Sequence, residues 1–400
     1  MANIVVLGGN FAGLTTALEA RRRLGNTYDR IIVISRSEDF LFVPSLIWVP
    51  FGLRDISQIS LPLKPIFDNH DIEFIHAEAT KVNIDSQVVS STAGEFPYDY
   101  LVVATGPKLD WSVPGTGPHG YTSCVCTPPD ALAMREDINK LLDSPGPVVV
   151  GAAPRAGCMG AAYEFLLNLE HFLRKHDLRK KTPITWVTPE PFLGHFGIGG
   201  MRTGEPMIRQ MFEHLDIKWI TNSEIVSAGS NTINLGDNTE LEASFSMIMP
   251  AFIGQDVVTN STGLGTAAGF IPVNGAYQHQ RYSNIFAAGV AVDVPSPFQT
   301  KVPIGVPKTG FPADVAGKTA AYNIARLIEN RKQLRQRPFG RIPGLCVMDA
   351  GSKEVIMISN HLLRPREFSL LLPNPFYDGG KRLFEKYFLW KTAHGYSFLP

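Results

Sequence analysis

Four cysteines stand out as the residues of this chain best suited to chemistry: Cys124, Cys126, Cys158 and Cys346. They are too few for a disulfide-stapled scaffold, and spaced cysteines outside such scaffolds are more often metal ligands or redox groups. Cys124-Val125-Cys126 is CxC rather than CxxC, and no clustered histidine accompanies it, so zinc is not expected. Cys158 falls at the first turn of a predicted helix. Helix N–H groups and the dipole there would lower a thiol pKa and favour the thiolate. Cys346 lies far downstream in GLCVMDAG. If the fold brings Cys158 and Cys346 together, they form a redox disulfide. If it does not, each is a small buried hydrophobe, the common fate of free cysteine.

Several elements must position these thiols. Asn3 to Leu7 (NIVVL) reads as a buried strand, followed by GGNFAG at Gly8 to Gly13. Leu14 to Leu24 then places Leu14, Ala17 and Leu18 on one helical face. Strand, glycine-rich turn and helix in this order form a Rossmann unit. Gly8, Ala12 and Gly13 allow close approach of backbone to a pyrophosphate, and the helix N-terminus stabilises its charge. Asn10 takes the place of the middle glycine. The second strand, Arg30 to Ser35, ends in Ser35 where an acidic ribose ligand is usual. Tyr98 to Leu109 ends a strand at Ala104-Thr105-Gly106, and Arg281 to Val292 ends one at Ala288-Gly289, with Val290 where Asp is usual and a helix starting there. Three such segments in this order resemble the signatures of flavoproteins with two dinucleotide-type domains, a resemblance that implies FAD as the cofactor.

A second glycine-rich loop follows the strand Pro147 to Gly151, in AAPRAGCMG. Pro154 and Arg155 interrupt its glycine pattern, and the next strand, Pro183 to Thr188, has no acidic residue at its tip. The expectation is a Rossmann-like unit that has lost nicotinamide binding. Electrons must then come from another donor.

The segments SEDFLFVPSLIWV, YDYLVVATGPKL, CTPPDA, AGCMGAAYEF, EPFLGHFGIGG, NIFAAGVAV, VPIGVPKTG, LCVMDAG and FEKYF together resemble the sulfide:quinone oxidoreductases, relatives of the disulfide reductase flavoproteins. The resemblance runs to about residue 391, and Ser35 and Val290 fit it. It implies that Cys158 and Cys346 form a sulfur-bridged pair at the flavin and that Cys126 is accessory or an FAD-attachment residue. Cys124 has no counterpart in that pattern. It also implies a mechanism: hydrosulfide opens the disulfide, leaving a persulfide on Cys158 and a thiolate on Cys346. The thiolate reacts with the flavin, and quinone removes the electrons from its other face. Glu164, on the Cys158 helix, is the candidate general base, against the alternative of a surface glutamate. His195 resembles a histidine of the sulfide route, and Asp130 replaces a second one. Lys308, in VPKTG, is expected near the flavin N1–C2=O region. Lys391 resembles a lysine at the quinone site, where Phe384, Tyr387 and Phe388, within the stretch from Phe376 to Trp390, are expected to supply apolar walls.

Composition sets the outer bounds. Lys plus Arg and Asp plus Glu both number 37, so the net charge is zero and no basic footprint invites nucleic acid. No apolar run reaches the roughly 18 residues of a spanning helix. No basic leader precedes the first strand, so the chain is expected to stay in the compartment of synthesis. Gly380 to Trp390, aromatic with Lys381, Arg382, Lys386 and Lys391 flanking, reads as an amphipathic helix lying on a bilayer or, alternatively, as a core helix. The expected fold is α/β, with two Rossmann-like domains and a C-terminal membrane-associating region. Residues 1–115 and 270–340 form the FAD domain, 116–269 the pyridine-nucleotide-like domain, and 341–400 the redox-cysteine and quinone region. Expected partners are hydrogen sulfide, a membrane quinone and the cytoplasmic-membrane surface, with homo-oligomer formation left open. Rival readings are a type II NADH dehydrogenase, a flavocytochrome-type sulfide dehydrogenase and a non-catalytic flavin-binding scaffold.

Overall fold

The computed structural model describes residues 2–25, 29–351, 353–374 and 379–399. Phe376 lies outside them. Two parallel sheets organise the chain. The first has the strand order Ile285–Ala287, Tyr100–Val103, Asn3–Leu7, Arg30–Ser35, Glu73–His76. Its strands are almost continuous apolar runs, as a sheet covered on both faces requires. The helix Phe11–Leu24 covers one face and begins three residues before the periodic pattern suggested, because the chain turns helical immediately after Asn10. The long helix Gly310–Ile328 packs on it, tied by Thr15 Oγ1 donating to Asp314 Oδ1 at 2.7 Å. The return strand is short. Gly289–Ala291 forms a single 3₁₀ turn in place of the helix expected there, and the next helix starts only at Gly310.

The second sheet has the order Ile217–Ile220, Ile184–Val187, Val148–Ala152, Phe245–Met249, again all parallel. The helix Met159–Lys175 follows its central strand and has Cys158 as its N-cap. A third, antiparallel sheet pairs Gly344–Asp349 with Glu354–Ser359 and Glu354–Ser359 with Ser369–Asn374. It carries Cys346 opposite Met357, which in turn lies opposite Leu371. The helix Gly379–Ala393 closes the described fold, and no helix among the described residues is long and apolar enough to cross a membrane.

Candidate functional site

The first glycine-rich loop opens into a cavity of about 420 Å³ at the carboxyl ends of the first sheet. The sheet order reverses direction beside Asn3–Leu7, the place where open α/β sheets bind ligands. Gly8, Asn10, Ser35, Ala104, Thr105 and Gly106 all line the cavity. Gly8 has φ +104°, and a side chain on it would meet Ala104 O at 2.3 Å. A Cβ on Gly13 would sit 1.9 Å from Gly8 O, so these glycines let the loop fold tightly onto the strand end. Asn10 Oδ1 and Thr105 Oγ1 are buried without a hydrogen-bond partner. Unpaired buried polar atoms facing a cavity fit a polar ligand that satisfies them. Ala12 and Gly289 lie behind the loop, where a Cβ on Gly289 would stand 2.9 Å from Ala12 Cβ. Val290 belongs to the adjoining 3₁₀ turn. The residues present therefore suit FAD. Sequence reasoning missed Arg36, Ser37 and Glu78 on the cavity wall; polar residues just past two strand ends were the available signal.

The second loop is built differently. Its amides are engaged by the protein itself. Ala153 N–H donates to Met249 O at 2.9 Å, Arg155 N–H to Pro303 O at 2.8 Å, and Gly157 N–H to Pro250 O at 3.1 Å. Arg155 holds a left-handed φ of +59°, and Gly305 packs so closely that a Cβ on it would meet Ala156 O at 2.3 Å. The segment around residues 303–305 thus covers the loop where a pyrophosphate would have to lie. Glu190, just beyond the next strand, is fully buried and accepts bonds from Tyr163 Oη at 2.8 Å, Thr188 Oγ1 at 2.9 Å and Phe196 N–H at 2.5 Å. Burial raises its pKa to about 7. It faces inward, away from any ribose.

What this loop presents instead is sulfur. Cys158 caps the helix, and Cys346 reaches the same place from the C-terminal sheet. Cys158 and Glu164 both bear on the ionisation of Cys346, and Glu164 also bears on that of Cys158. The expected low pKa of Cys158 is not observed. The backbone N–H groups of Ala161 and Gly160 do favour its thiolate, but burial outweighs them and the thiol is pushed up. Helix-terminus effects fade where desolvation dominates. Burial and the Glu164 carboxylate likewise push Cys346 up to about 12. All four cysteines are free thiols in the structure.

Glu164 is a core residue, 7% exposed, and not a surface glutamate. It accepts from Asp349 N–H at 3.0 Å and pairs with Lys381 Nζ. Its pKa is raised, because burial exceeds the pull of Lys381. Lys381 is itself buried and lies over the Trp48 ring at 4.6 Å, while Trp48 Nε1 donates to Asp349 Oδ2 at 2.7 Å. Sequence reading placed Lys381 among flanking surface charges, and no local signal pairs it with Glu164. Cys126 stands nearby: its S–H donates to Met249 Sδ at 3.5 Å, and Cys124 S–H donates to its sulfur at 2.8 Å. The adjoining Cys124 sulfur and burial hold the Cys126 thiol well above its usual range. Asp130, beyond it, bonds to Thr127 at the start of the helix Pro128–Asp143.

Residues 2–305 match the family model of the pyridine nucleotide-disulphide oxidoreductases. The chain is 34% identical, over 98% of its length and 91% of the other's, to the sulfide-quinone reductase of Aquifex aeolicus. It superposes on the crystal structure of the sulfide:quinone oxidoreductase from that bacterium with a TM-score of 0.94, covering 99% of this chain and 92% of that one at 33% identity. The chain belongs to the sulfide:quinone oxidoreductase family. A mitochondrial sulfide:quinone oxidoreductase of Dictyostelium discoideum is 25% identical over 74% of this chain and 66% of its own.

In this family member the remaining candidate residues fall into two further clusters. His195 is buried between Phe192 and Phe298, with ring centroids at 5.2 and 4.7 Å. Burial and then Arg364 and Arg366 lower its pKa to about 4, and Nδ1 has no hydrogen-bond partner. Lys308 donates to Val292 O at 2.9 Å and lies over Phe270 at 3.5 Å, beside the Gly289–Ala291 turn. Burial lowers its pKa to about 7.

The C-terminal helix corrects the expectation that Lys381 and Lys391 are flanking charges of an aromatic helix. Lys381, Glu385 and Lys391 point inward with Phe388. Glu385 pairs with Arg54 at 3.1 Å, and Lys391 approaches Asp314 at 3.9 Å, with its pKa lowered by burial to about 8. Phe388 joins Phe11, Phe40, Phe42 and Phe384 in one aromatic cluster, and Tyr387 contacts Trp390 at 6.3 Å. Leu383, 69% exposed, and Trp390, 48% exposed, face outward. Buried ion pairs anchor the helix and leave its apolar edge to the surroundings.

Proposed function

We propose that this protein oxidises hydrogen sulfide to polysulfide or sulfur and reduces a membrane quinone. The observation that carries the reading is that the helix capped by Cys158 packs on the strand bearing Cys346, with Cys158, Glu164 and Lys381 all acting on the Cys346 thiol, at a loop whose amides are engaged by the protein itself. The Gly8–Gly13 loop, with Asn10 and Thr105 on the cavity wall, would hold FAD, which would supply the two-electron link between sulfide oxidation and quinone reduction.

The residues divide the work as follows. Glu164, with its raised pKa, accepts the proton of hydrogen sulfide. Hydrosulfide attacks Cys158 in a Cys158–Cys346 disulfide. The sulfur–sulfur bond breaks, a persulfide forms on Cys158, and Cys346 leaves as a thiolate. Lys381 eases that departure, since its charge lowers the Cys346 pKa against burial. Each added sulfur requires the loss of two electrons, which a bound FAD would take from the Cys158 persulfide and the Cys346 thiolate as they join in a trisulfide. The next hydrosulfide attacks its middle sulfur, again releases Cys346 as thiolate and leaves the chain on Cys158 one sulfur longer, until polysulfide departs. Cys126 is accessory or attaches FAD, and His195 belongs to the sulfide route. Gly8, Asn10, Ala12, Gly13, Ser35, Ala104, Thr105, Gly106, Gly289, Val290 and Lys308 bind the cofactor. Phe384, Tyr387, Phe388 and Lys391 form the quinone site. The exposed Leu383, Trp390 and Phe398 support a seat on the bilayer surface, and the side proposed is the cytoplasmic one.

The test is an anaerobic sulfide titration of the flavin absorbance followed by decylubiquinone. Sulfide bleaches the flavin, and the quinone restores it. Bleaching by NADH with none by sulfide sinks the reading.

A further inference from the structure

The mechanism leaves Cys124 without a task, yet the fold gives it a partner. The segment around Ser123 runs along the strand Phe245–Met249. Ser123 N–H donates to Ser246 O at 2.8 Å, and Ile248 N–H donates to Ser123 O at 3.1 Å. In extended chain, residues two apart share a face. Cys124 and Cys126 therefore project together, and their sulfurs lie 2.8 Å apart. The pair is also close to the catalytic thiols. Cys126 rests on Met249, the next residue Pro250 receives Gly157 N–H at 3.1 Å, and Cys158 follows directly. Both cysteine segments thus converge on Met249–Pro250.

We propose that Cys124 and Cys126 form a second redox dithiol that exchanges with the Cys158–Cys346 pair, an inference resting on the sulfide-oxidising reading above. In the first step the Cys126 sulfur attacks Cys158 in the Cys158–Cys346 disulfide. That bond breaks, a Cys126–Cys158 mixed disulfide forms, and Cys346 leaves with the proton that Cys126 gives up. Cys124 then attacks Cys126. A Cys124–Cys126 disulfide forms, and Cys158 leaves with the Cys124 proton. Two electrons and two protons have passed from the CxC pair to the catalytic pair, with no outside oxidant. The reverse exchange restores the CxC dithiol. The pair stores one disulfide equivalent beside the site, so an oxidising equivalent stays available while quinone is scarce.

Peptide mass mapping tests this on the FAD-loaded protein. Trypsin cleaves after Lys108 and Arg135, so one peptide holds Cys124 and Cys126 and no other cysteine. Protein reduced with dithiothreitol, freed of reductant and reoxidised anaerobically with decylubiquinone is quenched in acid and alkylated. In wild type this peptide carries no label and is lighter by two hydrogens. After anaerobic sulfide it carries two labels. In Cys346→Ser the closure slows at least about tenfold, because the exchange route is lost. Two labels in the reoxidised wild type, or a flavin attached to Cys126, overturns the pair. Closure in Cys346→Ser at the wild-type rate overturns the exchange. A dithionite titration adds an independent count: Cys124→Ser takes up one disulfide equivalent fewer than wild type, and equal uptake contradicts the proposal. If sulfide leaves the flavin oxidised while the peptide still cycles with dithiothreitol and quinone, the functional reading fails and the dithiol stands.

Discussion

The two glycine-rich loops start from the same plan and end in opposite chemistry. Both follow a central parallel strand and lead into a long helix. The first keeps a 420 Å³ cavity before it and leaves Asn10 Oδ1 and Thr105 Oγ1 without protein partners. The second gives its N–H groups to Met249, Pro303 and Pro250 and has a cysteine at the helix start. A Rossmann loop binds a dinucleotide only while its amides and the space before them stay free. Once the chain covers that space, the helix start can serve another group, here a sulfur.

The comparison breaks most readily at the first loop. Gly13→Val forces a Cβ toward Gly8 O, at 1.9 Å before any relaxation. FAD retention is expected to be lost, seen as a colourless purified protein with no sulfide-dependent quinone reduction. Full flavin content in this variant would mean that the loop is not the cofactor cradle. At the second loop the matching change should do nothing. Arg155→Gly relieves the left-handed backbone, but Pro303 O and Gly305 still cover the loop, so NADH should not bleach the flavin. The next effect in size is at the sulfur. Cys158→Ala is expected to cut sulfide-dependent flavin reduction at least about a thousandfold, as loss of a nucleophile does. Stopped-flow absorbance measures it, with dithionite reduction as the control for an intact flavin site.

Much of this contrast was legible in the sequence because it is local. GGNFAG after NIVVL, Ser35 at a strand end and ATG at 104–106 are short-range patterns, and each has its place on the cavity wall or directly behind it. Pro154 and Arg155 signalled a damaged second loop. What covers that loop could not be read, since residues 303–305 arrive from the far side of the chain. The Cys158 pKa was misjudged for the same reason. Its helix position is local, but the burial that raises it is tertiary, and the helix it caps packs on the strand Gly344–Asp349 from the far end of the chain. Lys381 was read as a surface charge because lysines in an aromatic helix usually are. Only the tertiary fold turns it, with Glu385 and Lys391, toward the core.

That inward charge gives a fourth prediction. Glu164 and Lys381 are a buried pair, and removing one partner leaves the other charge without compensation. Lys381→Met is expected to destabilise the protein by about 3–5 kcal/mol. Adding Glu164→Gln should recover much of the loss, because the remaining side chain is neutral. Turnover separates the two changes. Glu164→Gln leaves Lys381 without its partner and is itself destabilised, so it is compared with wild type at a temperature where both are folded; there it should lose about a hundredfold in sulfide-dependent flavin reduction. It should also lose the acid limb of the pH profile that protonation of Glu164 produces in wild type. A profile unchanged in Glu164→Gln would remove this residue from the proton path.

The smallest effect concerns stability at the edge of the second unit. His195 is packed between two aromatic rings and faces Arg364 and Arg366, so its folded pKa falls to about 4. The unfolded chain takes up a proton near pH 6.5, whereas the folded protein does not until about pH 4. Stability from this group is therefore complete above pH 6.5 and declines as the pH falls toward 4. Between pH 7.5 and pH 5 the decline amounts to about 1–2 kcal/mol. Glu190, raised to about 7, works the other way: its contribution is full at low pH and fades as the pH rises through 7. The two must therefore be separated by substitution. His195→Phe keeps an aromatic ring between Phe192 and Phe298 and removes only the imidazole titration. Its melting temperature, compared with that of wild type at both pH values, should fall less on acidification by a few degrees. An equal fall in both proteins would show that His195 gains its proton in the folded state, and that the second unit is more open to water than its packing allows.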